Sequence, residues 1–478
     1  MNSFIALFPL LAVICGALLI LILEVFLKKE NRNYLAYISL FFLILCFAIC
    51  FKFWNKGYSY FEGNLLFDNL SLFFTLILTI ATSLVILISM KYISMMDTNY
   101  GEYYTLILLA LSGMIIMVSS SDLIIIFLGL EILSISSYTL AGLRKDSEKS
   151  SEAGIKYFLL GSFASAFLIY GIALIFGAFH STNLTYIVKQ FGTKSGMALF
   201  PLAGLGLIVI GFGFKIALVP FHMWTPDVYE GAPTPVTAFF SIGPKTVGFA
   251  VLLRILYPYL SGINHSDVLY VSLWIISVLT MAIGNIVALR QTNLKRILAY
   301  SSIAHTGYVL IAILAVDNFS LVFYLTVYIF MNIGAFASVI AMTNKNREYV
   351  ELEDYKGIGF KYPWIGATFS VFLLSLAGIP PLGGFLAKFY IFSSAVKKGL
   401  IPLVIIGVMA SLISVYYYLR IIVYMYMKEP SHSVEINIEN PALFLVLFFC
   451  LYGVLQLGLF PGNVLIYIKQ AVHSLALF

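Results

Sequence analysis

Several ionisable side chains lie inside long apolar stretches of the sequence, where a charge is costly to keep. There are five of them: Glu131, Lys215, Lys245, His305 and Lys388. At the centre of a bilayer such a group costs about 2.5–3.5 kcal/mol on insertion scales, and it usually marks an ion or proton pathway. Carboxylate, amine and imidazole groups can all exchange protons when their surroundings change. These residues therefore predict proton transfer within a membrane.

Glu131 and Lys215 carry the most specific part of this prediction. Ser134 and Tyr138 follow Glu131 at positions i+3 and i+7, which places three polar groups on one helix face. Lys215 precedes Pro220, which interrupts the helix and frees carbonyl groups that water can reach. We expect Glu131 to pair with Lys215, because a nearby carboxylate would make the proton affinity of the lysine adjustable. A purely structural role stays open for both residues.

The other three residues lie on polar helix faces or near loosened backbone. Lys245 directly follows Pro244, and Lys388 lies four residues beyond Gly384. His305 can relay a proton between its two ring nitrogens. The alternatives are lysines whose long side chains reach the membrane surface and a histidine that only packs through hydrogen bonds.

Three further groups follow Lys215 at the inner end of the same stretch: His222, Asp227 and Glu230. They could funnel protons towards Lys215. They could equally belong to a solvated loop, which needs no functional explanation.

The composition shows which elements must position these groups. Of 478 residues, 61% are hydrophobic and 10% are charged, with a mean hydropathy of +0.98. Soluble proteins are charged at about a quarter of their positions, so a soluble multidomain enzyme is excluded. Only helices and closed barrels span lipid, and these runs lack the alternation of barrel strands. The sequence predicts an all-α polytopic membrane protein.

About 20 apolar residues are needed for each membrane-spanning helix. The sequence contains fourteen apolar segments, numbered here in chain order: 3–27, 34–54, 68–90, 103–119, 122–142, 154–178, 198–224, 235–257, 268–289, 295–315, 319–343, 364–397, 400–427 and 441–461. The first is too long for a cleaved signal and has no basic residues before it. We therefore expect it to be a retained membrane helix.

The basic residues predict the orientation in the membrane. If the amino terminus is outside, 17 lysines and arginines fall in inner loops and 8 in outer loops. This bias favours both termini on the outer, periplasmic side. The three remaining basic residues, Lys215, Lys245 and Lys388, have no loop assignment and stand inside spans.

Two segments should be broken helices. Segment 12 is longer than an ordinary span and contains Pro380 and Pro381, and in segment 7 Lys215 is followed by Pro220 and then by Pro226. Interrupted helices at matching places in two halves are typical of inverted-repeat transporters. Because segments 7 and 12 are five apart, the predicted repeats are segments 4–8 and 9–13. The short runs 161–165 and 334–338 match at the expected offset.

These repeats divide the chain into four parts. The first holds segments 1–3, the next two hold the repeats, and the last holds segment 14 and the carboxyl-terminal residues. The predicted bounds are 1–102, 103–260, 261–430 and 431–478.

The sequence also excludes several kinds of site. The net charge of +6 is not concentrated on any polar face, which excludes nucleic-acid binding. The four cysteines lie in apolar runs without metal-ligand spacing, so no metal or iron–sulfur site is expected. The sequence contains no dinucleotide-binding or phosphate-binding glycine motif. We therefore expect no cofactor in this chain.

Three motifs resemble a known family. They are residues 127–138 (FLGLEILSISSY), residues 215–236 (KIALVPFHMWTPDVYEGAPTPV) and residues 376–388 (LAGIPPLGGFLAK). The chain resembles, over nearly its whole length, the antiporter-like subunits of proton-pumping NADH:quinone oxidoreductase, respiratory complex I. The resemblance implies fourteen helices, two inverted five-helix repeats and a row of charged residues along the membrane midplane.

The resemblance also assigns residues and partners. It implies that Glu131, Lys215, Lys245 and Lys388 belong to that charged row, while Pro244 stands where a small residue would be expected. It further implies a bacterial inner-membrane location among other membrane-arm subunits, within the lipid bilayer. NADH, FMN, iron–sulfur clusters and quinone would be bound by partner subunits, so quinone would act on this chain only indirectly.

Two alternatives stay open at this stage. The first is a subunit of a multisubunit sodium–proton exchanger, in which no redox chemistry is involved. The motif WTPDVY at residues 224–229 argues against it. The second is a structural module that only links its neighbours, and the three isolated lysines argue against that role.

Overall fold

A computed structural model describes residues 7–28, 31–61, 63–96, 101–191, 199–262, 267–344, 348–430 and 440–475. These residues are mainly helical. The helices, in chain order, are α1 (Phe8–Phe26), α2 (Asn33–Phe53), α3 (Asn69–Met95), α4 (Glu102–Ser119), α5 (Leu123–Ala141), α6 (Glu148–Phe179), α7 (Leu184–Phe191), α8 (Leu199–Ile216), α9 (Trp224–Gly231), α10 (Thr234–Leu260), α11 (Val268–Ala288), α12 (Leu294–Leu314), α13 (Asn318–Ala341), α14 (Ile358–Lys361), α15 (Pro363–Ala377), α16 (Gly383–Lys397), α17 (Ile401–Met427), α18 (Pro441–Leu459) and α19 (Gly462–Leu475).

The all-α polytopic fold is confirmed. In the described ranges, 12 helices are long and apolar enough to cross a membrane. Segments 7 and 12 supply the remaining two crossings as broken helices, made of α8 with α9 and of α15 with α16. The chain is therefore a multi-pass membrane protein.

The sequence missed some elements and misplaced others. It did not predict the short helix α7, the amphipathic helix α19 or the hairpin of β1 (Tyr58–Tyr60) and β2 (Leu65–Phe67). Segment 6 begins six residues earlier than predicted, because Ser147 caps α6 by accepting a hydrogen bond from the Ser150 amide. Residues 3–6 of segment 1 lie outside the described residues.

The two repeats begin their second helices in the same way. Asp122 caps α5 and pairs as a β-bridge with Asn183 after α6, while Asn293 caps α12 and pairs with Glu351 after α13. Each cap satisfies amide groups that the first helical turn leaves free. Two copies of one five-helix unit are expected to have equivalent caps at equivalent positions, as Asp122 and Asn293 are here. Because the unit has an odd number of crossings, the second copy is inverted.

The two broken helices share their geometry. A residue with positive φ follows the first piece of each one: Ala217 with φ of 61° after α8, and Gly378 with φ of 86° after α15. A cis peptide bond to proline comes three residues later in both, at Pro220 and Pro381. Each break leaves the last carbonyl groups of α8 and α15 without helical partners.

Close packing at the second break depends on Gly384. A Cβ atom there would lie 1.8 Å from the Ser375 carbonyl oxygen, and the Gly384 amide donates to Ser375 Oγ at 3.1 Å. We expect Gly384→Ala to destabilise the protein by about 1–3 kcal/mol, as overpacking usually does. The thermal unfolding midpoint of the purified protein measures this effect. Gly206→Ala is the control, because nothing lies within 4 Å of its Cβ position; equal midpoints for both variants would contradict the prediction.

The centre of the bundle is formed by α10, α12 and α13. In their most apolar stretches, 100%, 94% and 89% of the residues are buried. In the outer helices α1, α2, α6 and α17 only 33–39% of the residues are buried, and these helices present apolar side chains to the surroundings. A helix buried on every side must satisfy its polar groups within the protein. Polar side chains on the central helices therefore contact one another.

Two of the basic residues that the sequence placed in loops are buried at helix ends. Arg254 is 6% exposed within α10 and forms an ion pair of 2.7 Å with Asp68. Lys295 is 1% exposed in the first turn of α12. Hydropathy did not predict their burial, because it does not show which helix ends pack inside the protein.

Candidate functional site

Glu131 and Lys215 each contact a serine. Ser165 of α6 donates to Glu131 Oε1 at 2.5 Å, and Lys215 Nζ donates to Ser134 Oγ at 2.8 Å. Glu131 and Lys215 are not among the ion pairs within 4 Å that the described residues form, so the expected direct pairing is absent from this structure. Ser134 lies one turn beyond Glu131 on α5 and takes its place.

A small cavity lies between these two contacts. Its volume is about 10 Å³, and Ser134, Ser165 and Lys215 are among its lining residues. This is close to the space of about 10–15 Å³ that one water molecule needs. The cavity lining combines the polar groups of Ser134, Tyr138, Ser165 and Lys215 with apolar residues. Ser134 and Ser165 are the serines that contact Lys215 and Glu131, so the cavity lies between the two groups.

Aromatic rings enclose Lys215 on its other side. Its Nζ atom lies 5.3 Å from the ring centre of Tyr157, which stacks on Trp224 of α9 at 4.3 Å. Trp224 Nε1 donates to the Phe214 carbonyl oxygen at 2.8 Å. The second half of the broken helix is thus tied to the first half beside the lysine. A movement of α9 would change what surrounds Lys215.

Lys245 is 2% exposed and is held by α12. Its Nζ atom lies 2.8 Å from the Ser302 carbonyl oxygen, 2.5 Å from Ser302 Oγ and 3.2 Å from Thr306 Oγ1. Thr306 Oγ1 also lies 2.9 Å from the carbonyl oxygen of Ile216. Ile216 is the residue after Lys215, so hydrogen bonds lead from the first break to Lys245.

His305 is part of a hydrogen-bonded group of tyrosines. Its Nδ1 atom lies 2.6 Å from Tyr324 Oη, and its Nε2 atom lies 3.3 Å from Tyr418 Oη. The ring centre of Tyr328 lies 5.3 Å from that of His305, and Tyr328 Oη donates to Ser302 Oγ at 2.9 Å, so Tyr328 lies between His305 and the serine that contacts Lys245. Because both ring nitrogens have hydroxyl partners, His305 can accept a proton on one side and donate on the other.

Lys388 lies in the second piece of the second broken helix and bonds to the end of its first piece. Its Nζ atom donates to the carbonyl oxygens of Leu376 and Ala377, each at 3.0 Å, and to Ser411 Oγ at 2.9 Å. These carbonyls are the ones that the end of α15 leaves free. An ammonium group at a helix carboxyl end is favourable because it faces the negative end of the helix dipole.

A ring contact joins Lys388 to the histidine group. Its Nζ atom lies 5.0 Å from the ring centre of Tyr308, and that ring lies 5.7 Å from the His305 ring. The four basic residues Lys215, Lys245, His305 and Lys388 thus form one buried row, and Glu131 lies beside its Lys215 end, half-buried on α5. The order is Glu131, Lys215, Lys245, His305 and Lys388.

The sequence missed most of the polar partners in this row. The serine, threonine and tyrosine hydroxyls that hold the charged groups come from several helices, and such residues are common in any membrane helix. A signal could have come from helical spacing for Ser302 and Thr306 only, since they flank His305 at i−3 and i+1. No sequence pattern pointed to Tyr324, Tyr418 or Ser411.

Charged residues also gather around α9, the second piece of the first broken helix. Asp227 accepts from Lys156 and from Arg296 at 2.8 Å each. Glu230 accepts from Lys149 at 2.6 Å and from Arg296 at 3.0 Å. Lys149 and Lys156 belong to the first repeat and Arg296 to the second, so these carboxylates join the two repeats.

Glu348 lies beside this group and was not singled out from the sequence. Thr234 Oγ1 donates to its Oε1 atom at 3.2 Å, Lys295 Nζ lies 3.4 Å from Oε2, and Arg144 lies 3.9 Å from Oε1. Burial raises the pKa of Glu348 to about 8, and the hydrogen bond from Thr234 partly opposes this rise. The carboxyl group can therefore exchange its proton near physiological pH.

This pKa predicts a pH dependence of stability. The usual value for the group is 4.5, so between about pH 4.5 and about pH 8 the Glu348 carboxyl is protonated in the folded protein and ionised in the unfolded chain. The contribution of Glu348 to stability therefore falls as the pH rises through this window. Glu348→Gln should remove that fall, as measured by unfolding midpoints from pH 5 to 9. Glu353→Gln, an exposed residue nearby, is the control; a wild-type profile in both variants would contradict the assignment.

The chain is similar to known membrane proteins over its whole length. A family model described as "NADH:quinone oxidoreductase/Mrp antiporter, TM" matches residues 120–414. NADH-quinone oxidoreductase subunit N of Trichlorobacter lovleyi is 46% identical over 463 residues, covering 95% of this chain and 93% of the relative. NADH-quinone oxidoreductase subunit N 1 of Solibacter usitatus is 41% identical over 461 residues, covering 96% and 94%.

Solved structures show the same fold. A chain of respiratory complex I from Thermus thermophilus has a TM-score of 0.82 at 33% identity, covering 96% of this chain and 98% of that one. A chain of the Mrp complex from Dietzia sp. has a TM-score of 0.84 at 20% identity, covering 99% and 98%. The second similarity shows the fold alone.

Proposed function

The chain belongs to the NADH:quinone oxidoreductase/Mrp antiporter membrane-subunit family, and we propose that it is the proton-translocating subunit N of a NADH-quinone oxidoreductase. It is then part of a translocase without a redox site of its own. The main supporting observation is the row from Glu131 to Lys388, in which each ionisable group has a hydroxyl partner and Lys215, Lys245, His305 and Lys388 are buried.

The row supports proton transfer in a defined order. Redox chemistry in partner subunits changes the charge next to Glu131, and the water-sized cavity passes this change to Lys215. Lys215 then releases its proton by way of internal water towards Lys245. His305 and its tyrosines carry it on to Lys388 and the outer side. Each tenfold change in proton affinity corresponds to about 1.4 kcal/mol, which a single charge movement in a buried site can supply.

Proton uptake begins at the charged group around α9 in this proposal. Tyr229 of α9 has a buried hydroxyl next to Ser302 and Tyr328. In this proposal internal water connects the inner carboxylates to the Tyr229 hydroxyl. Tyr229 then leads to the Ser302 hydroxyl, which contacts Lys245. His222 takes no step in this route.

The cofactors and the setting follow from the family. NADH, FMN, iron–sulfur clusters and quinone would be bound by partner subunits. The described residues of this chain contain no group of three His, Cys, Asp or Glu side chains that could hold a metal ion. Other membrane-arm subunits would flank the chain in a bacterial inner membrane, with both termini on the outer side. We retain 1–102, 103–260, 261–430 and 431–478 as its four parts.

Purification of the tagged chain from its own membranes tests this function. The complex should contain iron–sulfur subunits, and NADH oxidation in inverted vesicles should acidify the lumen without added sodium. A complex without redox subunits, in which proton movement requires sodium, would instead identify an exchanger subunit. Normal pumping after neutralising Lys215, Lys245 and Lys388 together would leave only a structural role.

A further inference from the structure

An apolar cavity of about 230 Å³ opens between α2, α3, α13, α18 and α19. Its walls are almost entirely aromatic and aliphatic, and Thr326 and Gln456 are the uncharged polar exceptions. Thr326 and Phe330 of α13 form its floor. They lie about 200° around the helix from Tyr324 and Tyr328, because each residue turns the helix by about 100°. The cavity is therefore separated from the charged row by the width of α13.

The length of the cavity suits a hydrocarbon chain. Its lining extends from Phe47 to Trp54 on α2 and from Phe449 to Leu457 on α18. At a rise of about 1.5 Å per residue these stretches measure roughly 10–12 Å. One leaflet contributes about 15 Å to the hydrocarbon core of a bilayer. The cavity thus spans most of the depth of one leaflet.

One end of the cavity is polar. Trp54 Nε1 donates to Gln470 Oε1 of α19 at 2.7 Å, and the Trp54 ring contacts Tyr467 at 5.5 Å. Tryptophan and tyrosine are enriched where the hydrocarbon core meets the headgroups. Helix α19 is short and amphipathic, as are helices that lie along this boundary.

Three exposed lysines stand at the same end. Lys52 and Lys56 flank Trp54 in the chain, and Lys469 precedes its partner Gln470. Lysines near the membrane surface attract the phosphate groups of anionic lipids. An apolar slot one leaflet deep, with cations at its mouth, has the two features that a phospholipid requires.

We propose that this cavity holds one acyl chain of an anionic phospholipid, whose phosphate binds between Lys52, Lys56 and Lys469. The acyl chain fills the space between α18 and α3, and the lipid headgroup lies against α19. The lipid then completes the packing of the carboxyl-terminal helices on the first three helices. It is bound on the far side of α13 and takes no part in proton transfer.

Native mass spectrometry of the intact purified complex tests this proposal. Ile80 lines the cavity, so Ile80→Trp should fill it and leave one anionic phospholipid fewer per complex than the wild type. Ile44→Trp is the matched control, since Ile44 is 67% exposed and does not line the cavity. Equal lipid content in Ile80→Trp and wild type would overturn the proposal.

A second variant keeps the test independent of folding defects. Replacement of the three surface lysines by glutamine should leave the slot occupied but abolish the preference for phosphatidylglycerol over phosphatidylcholine in lipid-exchange measurements. An unchanged preference would refute the headgroup assignment. A density map of the complex should show an acyl chain in the cavity; a quinone, or a helix of a neighbouring subunit, would contradict the proposal.

Discussion

Lys215→Ala should lower NADH-driven proton pumping about tenfold or more in a fully assembled complex, because a positioned proton-transfer group commonly contributes about 10²–10⁴-fold. Alanine removes the ammonium that donates to Ser134 beside the first helix break and leaves this serine without that donor. Quinone reduction should fall with pumping, since the two are coupled. Acidification of inverted vesicles, measured with a pH-sensitive dye, reports proton pumping directly.

Two companion variants make this result specific to the site. Glu131→Gln keeps an oxygen that can accept from Ser165 but cannot change its charge, so we expect a smaller loss of pumping than for Lys215→Ala. Lys28→Ala removes an exposed lysine beyond the end of α1 and should pump normally. Wild-type pumping by an assembled Lys215→Ala complex would refute the proposed order of transfer.

Lys388→Met should lower both pumping and stability. The methionine cannot donate to the carbonyl oxygens of Leu376 and Ala377, which the break leaves free. A buried polar group without its partner costs about 1–3 kcal/mol. We therefore expect a lower unfolding midpoint together with a loss of pumping about as large as that of Lys215→Ala. Thermal unfolding and dye acidification on the same preparation measure the two effects separately.

A nearby lysine provides the control for this second variant. Lys397 lies in the last turn of the same helix, α16, and is exposed. Lys397→Met removes the same charge from the same helix and should leave both the midpoint and the pumping rate unchanged. If Lys388→Met lowered only the midpoint and pumped normally, Lys388 would be a structural cap and not a member of the pathway.

Much of the architecture was predictable because lipid leaves few choices. Long apolar runs without strand alternation must be helices in a bilayer, and prolines inside them break them, so segments 7 and 12 and the five-helix repeats followed from local sequence. The elements that escaped prediction are shorter than a membrane span. Helix α19 has 14 residues and each strand of the β1–β2 hairpin has three, so the requirement for about 20 apolar residues did not identify them.

The sequence also identified one part of the candidate site and missed the other. Glu131, Lys215, Lys245, His305 and Lys388 were identified from the sequence alone, because an ionisable residue in an apolar run is conspicuous. Their partners were not, because serine, threonine and tyrosine hydroxyls cost little in a membrane helix and occur in many places. Glu348 was missed for the opposite reason: it lies in a polar stretch, and only burial against Lys295 and Arg144 distinguishes it.

The sequence by itself determined that this chain is a helical membrane protein with a few costly charges, since both conclusions depend only on composition and local order. Only the tertiary structure decided which groups meet. In the structure Lys215 contacts Ser134 and not Glu131. Lys388 lies in α16, the second piece of segment 12, and caps the end of α15, its first piece. Contacts of this kind join residues of different helices, and no pattern along a single helix specifies the distance between two side chains.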